Sequence, residues 1–150
     1  MSAMLESVPR YRTTIATPRQ PDDAFKYMAS FENVAAWDPS VIEAERFATG
    51  ELGVGSRFRV VVSSAGRKLP LEYKITEFEP SRLVVLLAET STLRSLDKIT
   101  VEPTPTGATV SYDASLEMVG LLGIFNPVLA LAFKRLGDRA AAGLRRELQN

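Results

Sequence analysis

Six strand-like segments separated by short turns occupy residues 41–117, and this succession constrains the fold more than any other feature of the sequence. β-Branched and aromatic residues dominate the segments, whereas glycine, proline, serine and threonine mark the turns. Parallel strands need a crossover of about a dozen or more residues, and these turns are too short for one. The pattern therefore predicts an antiparallel meander. Its predicted strands are residues 41–47, 57–63, 69–78, 83–89, 96–102 and 109–117.

Alternating apolar and polar residues indicate which side chains of these strands face the interior. The inward set is predicted to include Phe58, Val60, Tyr73, Ile99 and Tyr112. These residues are plain core in the simplest interpretation, yet a buried tyrosine hydroxyl requires a hydrogen-bond partner. One of the two tyrosines is therefore a candidate for orienting the polar end of a bound molecule. Residues 83–87 are apolar on both faces, so their alternation predicts no orientation.

A glycine-rich stretch, GELGVG at residues 50–55, raises the question of whether the chain binds a phosphate group. A phosphate loop places its glycines between a strand and the first turn of a helix, where backbone N–H groups point at the anion. Here Gly55 is followed by the β-branched run SRFRVVVSS, and the lysine of a Walker motif is absent. We therefore interpret the stretch as a connection between two strands, with glycines that supply positive φ angles or a bulge.

Helical patterns flank the strands. A first strand at Arg10–Thr17 is followed by a helix beginning at Pro21 and by a short helix at residues 33–37. Asn126 is predicted to cap a long helix that runs to about Leu148 and spans about 33 Å. Seven antiparallel strands span a similar width, so this helix can lie across the sheet. Its apolar stripe comprises Leu129, Phe133, Leu136, Ala140 and Leu144.

Composition excludes several classes of function. Lysine plus arginine and aspartate plus glutamate number 18 each, so the chain lacks the positive field that a nucleic-acid binder needs. It has no cysteine and no histidine, which removes thiolate nucleophiles, the commonest zinc ligands and the usual proton shuttle at neutral pH. No carboxylates cluster at metal-ligand spacing, and we expect neither a metal nor another cofactor. The 150 residues contain no linker, which predicts a single domain.

The least polar segment, residues 118–133, carries no charge. It is shorter than a membrane-spanning helix and is interrupted by Asn126 and Pro127, so a transmembrane segment is not predicted. Three interpretations of its first part, Gly120–Phe125, stay open: a lid, a loop that touches a membrane transiently, or ordinary packing. The N-terminal residues MSAMLESVPR lack a basic region followed by an apolar run, which predicts a cytoplasmic protein.

The order of these elements and motifs resembles one known superfamily. AAWDPSV follows the paired helices, GVGSRF opens a strand, YKITEFEPSRLV and DKITVEPTPTGATVSYDASL span two hairpins, and GLRREL ends the last helix. Over residues 11–148 the chain resembles the START/Bet v 1-like helix-grip (SRPBCC) superfamily, in particular its polyketide cyclase/dehydrase-like branch. The resemblance implies an α+β fold in which a seven-stranded antiparallel sheet wraps round the long C-terminal helix. It also implies an elongated apolar cavity for a lipid, sterol, polyketide or aromatic compound.

The candidate site residues each have a structural alternative. Trp37 is either a core anchor, which we favour, or part of a cavity wall. Asp97 and Glu89 bracket a turn; an inward Asp97 could be a buried carboxylate with a raised pKa, fit for acid–base work, although a solvated strand end is the favoured interpretation. Gly137 and Gly143 indicate either close helix packing or unfilled volume. The candidate ligand-binding residues are Trp37, Phe58, Val60, Tyr73, Ile99, Tyr112, Phe125, Leu129 and Phe133, and the candidate catalytic residues are Asp97, Glu89 and Tyr112.

Three hypotheses about function follow. The leading one is a non-catalytic binder or carrier of a small hydrophobic molecule, because strong nucleophiles and bases are lacking. The second is a polyketide cyclase/aromatase-like enzyme in which Asp97, Glu89 or a tyrosine moves protons. The third is a protein-interaction module whose cavity has collapsed into solid core. The sequence does not distinguish a monomer from a homodimer.

Overall fold

The computed structural model describes residues 9–48, 50–64 and 66–149. The elements follow the predicted order, with the first strand matching its predicted bounds. They are β1 (Arg10–Thr17), α1 (Pro21–Ala29), a 3₁₀ turn (Phe31–Asn33), α2 (Val34–Trp37), β2 (Val41–Arg46), β3 (Arg57–Ser64), β4 (Arg67–Glu79), β5 (Leu83–Glu89), β6 (Leu93–Thr104), β7 (Gly107–Met118), a 3₁₀ helix (Gly120–Phe125) and α3 (Asn126–Leu148).

The seven strands form one antiparallel sheet in the order β1-β7-β6-β5-β4-β3-β2. From β2 to β7, each strand pairs with the strand that follows it in the sequence, which confirms the predicted meander. Strand β1 pairs with β7 and forms the other edge of the sheet. Several strands run beyond their predicted ends; β6, for example, begins at Leu93, which pairs with Met118. Register shifts at Val41/Glu43 and Ile75/Glu77 are bulges of the kind that bend strands.

The helices cover one face of the curled sheet, and α3 packs against β1, β7 and α2. Inward-facing Phe58, Val60 and Ile99 are at most 2% exposed, as their alternation predicts. Strand β5 is buried on both sides, since Val84 and Leu86 are inaccessible while Leu83 and Val85 are also buried. The predicted helix-grip architecture is therefore confirmed.

The glycine-rich stretch connects β2 to β3, as predicted. Gly50 and Gly55 have φ angles of 150° and 96°, which side-chain-bearing residues rarely adopt. The Gly55 N–H donates to the carbonyl oxygen of Ile75 at 2.9 Å, which ties this connection to β4.

The beginning of α3 differs from the prediction. Asn126 does not act as an N-cap, because its own backbone is helical (φ −56°, ψ −39°) and continues directly from the preceding 3₁₀ helix. Its side chain instead accepts a hydrogen bond from the Met118 N–H at 2.8 Å and donates one to the Met118 carbonyl oxygen at 3.4 Å. Asn126 thereby joins the start of α3 to the end of β7.

The two glycines of α3 lie where the helix makes its closest approaches. A Cβ at Gly143 would be 2.0 Å from the Trp37 carbonyl oxygen at the end of α2. A Cβ at Gly137 would be 2.3 Å from a ring carbon of Tyr11 on β1. Close packing therefore explains both glycines. Of the two, only Gly137 also borders unfilled volume, as described below.

Candidate functional site

A cavity of about 360 Å³ lies between the concave face of the sheet and the part of α3 from Leu129 to Ala141. This volume equals that of about a dozen water molecules at ~30 Å³ each, which suits a small organic molecule. Leu69 and Ala132 are exposed and line the cavity, so they mark an opening to solvent. The apolar lining includes Phe31, Val34, Val41, Val60, Val62, Leu71, Leu93, Leu116, Met118, Leu129, Phe133 and Leu136.

Small residues create the space under α3. On the helix, Gly137, Ala140 and Ala141 line the cavity, and Ala114 faces them from β7. One turn further along the helix, Leu144 and then Leu148 are completely buried and fill the corresponding region. The cavity therefore ends where the inward-facing residues of α3 become large.

A small cluster of polar side chains interrupts the apolar lining. Alternation along β6 points Ser95 and Asp97 into the cavity, and Tyr73 and Tyr112 reach it from β4 and β7. The Tyr112 hydroxyl donates to Asp97 Oδ2 at 2.7 Å. The hydroxyls of Tyr73 and Ser95 share a hydrogen bond of 2.7 Å. Both tyrosine hydroxyls thus have the partners that burial requires.

Asp97 is only 4% exposed, so the favoured interpretation of this residue as a solvated strand end was wrong. Burial, with smaller contributions from the charges of Asp38 and Asp113, raises the pKa of Asp97 to about 7 against the opposing effect of the Tyr112 hydrogen bond. Burial, and then the neighbouring Asp97, raise the pKa of Tyr112 well above its ordinary value. At neutral pH the Asp97 carboxyl group is therefore poised between its protonated and ionised forms, while Tyr112 stays protonated.

Asp38, a second carboxylate of the lining, was not a predicted site residue. Its Oδ1 accepts hydrogen bonds from the Ser40 N–H at 2.9 Å and the Ser40 hydroxyl at 2.7 Å. Burial raises the pKa of Asp38, and these two hydrogen bonds oppose the shift. The sequence signal was an aspartate followed two residues later by a serine, which favours a local side-chain-to-backbone turn. Asp38 and Pro39 also fit the end of a helix, and that simpler interpretation hides the carboxylate.

The structure places the candidate ligand-binding residues in two groups, apart from Phe125, whose side chain lies outside the described part of the structure. One group lines the cavity, and its members are Val60, Tyr73, Tyr112, Leu129 and Phe133. The other group, Trp37, Phe58 and Ile99, is buried in the adjoining core. The Trp37 ring packs edge-on against the ring of Tyr112 with 5.3 Å between centres, so it supports a cavity residue without lining the cavity itself.

Among the candidate catalytic residues, Asp97 and Tyr112 lie together, and Glu89 lies apart from them. Glu89 is exposed at the end of β5, where its carboxylate is 4.0 Å from the guanidinium of Arg94. It does not line the cavity.

No lysine or arginine side chain lines the cavity among the described residues, and in that part of the chain no group of acidic side chains is arranged to hold a metal ion. The described helices include none that is long and apolar enough to cross a membrane.

Comparisons with known proteins agree with this architecture. Protein TTHA0849 from Thermus thermophilus has a TM-score of 0.72 at 16% identity, with 94% of this chain and 96% of that chain covered. The Zhui aromatase/cyclase from Streptomyces sp. R1128 has a TM-score of 0.70 at 12% identity, with coverage of 94% and 91%. A START superfamily protein from Mycobacterium smegmatis has a TM-score of 0.71 at 13% identity, with coverage of 94% and 96%.

At such low identities these structures establish a shared fold alone. No curated protein matches the chain in sequence. A family model described as polyketide cyclase/dehydrase and lipid transport matches residues 9–149, which is nearly the whole chain. The chain therefore belongs to the polyketide cyclase/dehydrase and lipid transport family, and membership of this family implies binding of a hydrophobic ligand or cyclase activity.

Proposed function

We propose that the protein binds a small, mainly apolar molecule in the cavity under α3, with one polar group of that molecule meeting Asp97 and Tyr112. The observation that carries the proposal is a cavity of about 360 Å³ with a mainly apolar lining and a cluster of polar side chains around Asp97 and Tyr112. Burial of apolar ligand surface would supply about 25 cal/mol per Å² of the binding free energy. The polar cluster would orient the ligand, as is usual in pockets of this kind.

The proposal can be tested with neutral ligands of different shapes, n-decanol and 1-naphthalenemethanol. We expect both thermal stabilisation and a calorimetric binding signal with at least one of them. With n-decanol, which does not absorb near 280 nm, the fluorescence of Trp37 should also change, because Trp37 is the sole tryptophan and packs on Tyr112. Absence of binding by both alcohols would contradict the proposal.

A matched pair of variants locates the binding. Ala114→Phe places a large side chain in the cavity and should weaken decanol binding at least tenfold while the fold is retained. Ala16→Phe makes the same change at an exposed position on the neighbouring strand β1 and should leave binding unchanged.

A second function is favoured by the buried Asp97–Tyr112 pair. A carboxylate with a pKa of about 7 in an apolar site is matched to general-base catalysis, which typically contributes about 10²–10⁴-fold to a rate. Asp97 would remove a proton from a carbon next to a ketone, as cyclisation of a polyketide-like chain requires. The collapsed-core hypothesis, by contrast, has lost its support because the cavity is present.

Deuterium incorporation next to the carbonyl group of 2-decanone, followed by NMR in D₂O, tests this second function. The parent protein should accelerate exchange and Asp97→Asn should not. If the parent protein does not accelerate exchange while 2-decanone is bound, the protein binds the ketone but does not catalyse removal of its proton.

A further inference from the structure

We infer that the cavity selects apolar molecules with a hydrogen-bond-donating, positively charged end, such as alkylamines, and rejects carboxylates such as fatty acids. The inference rests on the proposed binding function and adds the chemistry of the ligand's polar end. It is carried by the charges and the hydrogen-bond donors and acceptors of the lining.

The charged groups of the lining have one sign. Asp38 and Asp97 face the cavity from the end of α2 and from β6, and the described lining contains no arginine or lysine to balance them. A carboxylate that entered would lose its hydration and meet like charge, with no cation to compensate for either. An ammonium group would instead find an opposite charge in a place shielded from water.

Most donors in the cavity are already used within the protein. The Tyr112 proton goes to Asp97, and the Ser40 proton goes to Asp38. Tyr73 and Ser95 share one hydrogen bond, which leaves a single hydroxyl proton between them for a ligand. A ligand that brings only acceptors therefore finds few donors to bind.

An acceptor, on the other hand, is left without a partner. Asp97 is 4% exposed, and its Oδ2 is occupied by Tyr112. Its Oδ1 accepts no hydrogen bond from any residue in the described part of the chain. This oxygen is not completely buried, so a ligand in the cavity can reach it. A donor on the ligand would satisfy this oxygen, and a positively charged donor would form the stronger, charge-assisted bond.

The test compares n-decylamine, n-decanol and decanoate, which share one chain and differ in the polar end. Calorimetric titrations at pH 8 should give the tightest binding for decylamine and the weakest for decanoate, with at least a tenfold difference in Kd between them. Decanol should lie in between. Asp97→Asn should weaken decylamine binding at least tenfold, and by a clearly larger factor than it weakens decanol binding. Glu102→Gln, an exposed carboxylate on the same strand, is the control and should change neither.

The outcomes separate this inference from the proposed function. If decanoate binds the parent as tightly as decylamine, or if decylamine binding survives Asp97→Asn unchanged, the inference is overturned while cavity binding stands. Decylamine binding that persists in Ala114→Phe would also overturn it, because the amine would then lie outside the cavity. If none of the three decyl ligands binds, the inference is overturned, and if 1-naphthalenemethanol does not bind either, the proposed function itself fails.

Discussion

The two halves of α3 lie on the same sheet but contribute differently. In the C-terminal half, Leu144 and Leu148 are completely buried in a filled core. In the N-terminal half, Leu129 and Phe133 are only partly buried and border the cavity, while Val128 and Leu131 are 72% and 68% exposed. One amphipathic helix thus stabilises the fold at one end and forms a candidate binding site at the other. An amphipathic stripe alone is not evidence for a solid core.

The boundary between the halves has a structural cause. At Gly143 the helix backbone lies against the Trp37 backbone, whereas at Gly137 it packs against the side chain of Tyr11 from β1. The Tyr11 hydroxyl donates to Asp138 at 2.8 Å, which holds the ring in this position. Tyr11 lines the cavity together with Gly137, Ala140 and Ala141 of α3, whose small size leaves the gap open.

The largest expected difference between the halves is in stability. Leu144→Ala removes a completely buried side chain and should lower the free energy of unfolding by about 4 kcal/mol. Leu136→Ala, at a half-buried position that lines the cavity, should lower it by only about 1 kcal/mol. Urea unfolding of both variants measures the difference, and equal losses would mean that the cavity end is packed as tightly as the core.

Substitutions of Gly143 and Gly137 should show the same difference between the two ends of α3, with a smaller effect on the free energy of unfolding. Gly143→Ala places a methyl group against the Trp37 backbone, which cannot move without shifting α2, and should destabilise the protein by about 3 kcal/mol. Gly137→Ala meets a tyrosine ring that can turn into the cavity, so a loss of about 1 kcal/mol is expected. Urea unfolding at constant pH provides the comparison. A harmless Gly143→Ala would show that the helix does not approach α2 this closely.

Asp97 should make the cavity half sensitive to pH. Its folded-state pKa of about 7 lies above the ordinary value of 3.8, so the folded state binds the extra proton between pH 4 and 7. Stability from this group is therefore lost as pH rises through that window, by at most about 1.4 kcal/mol per pH unit. Asp97→Asn removes the effect and should be more stable than the parent by about 2 kcal/mol at pH 8.

The advantage of Asp97→Asn should shrink steadily as the pH is lowered towards 4. Thermal unfolding at a series of pH values measures it, with Glu102→Gln as a control for loss of one carboxylate from the chain. A difference that is independent of pH would contradict the assignment of a buried, titrating Asp97.

The smallest effect is expected on the outer face of the N-terminal half. Val128→Ser and Leu131→Ser change exposed side chains and should each alter the free energy of unfolding by about 0.5 kcal/mol or less. Urea unfolding at two protein concentrations is the appropriate measurement. A larger loss that depends on protein concentration would show that a second copy of the chain covers this face.

Sequence patterns predicted which face of each strand is buried, but not where along the sheet the cavity lies. Phe58 and Val60 share the same alternation, yet the first is core and the second lines the cavity. A period of two residues specifies a face; the position of the gap depends on the curl of the sheet and on contacts made by distant residues such as Tyr11. For the same reason the sequence could not choose between the explanations for Gly137 and Gly143.

The polar part of the site was harder to predict than the apolar part. Asp97 shares the alternation of Ile99, which placed it inward, but carboxylates are so rarely buried that a solvated position was favoured. Asp38 was hidden because an aspartate before a proline also fits a helix end. Asn126 fits the preference for a cap, yet in the structure its side chain bonds to Met118 across the chain. For Asp97 and Asn126, contacts with another element of the fold outweighed a local preference, whereas the hydrogen bonds of Asp38 are local.

Contacts between bound n-decanol and the methyl groups of the protein test the central claim most directly. Nuclear Overhauser effects from the decyl chain should reach the methyl groups of Val60, Leu129 and Leu136, which border the cavity. None should reach Leu144 or Leu148 in the filled half of α3. Contacts with the latter pair, or with surface methyl groups alone, would contradict the account.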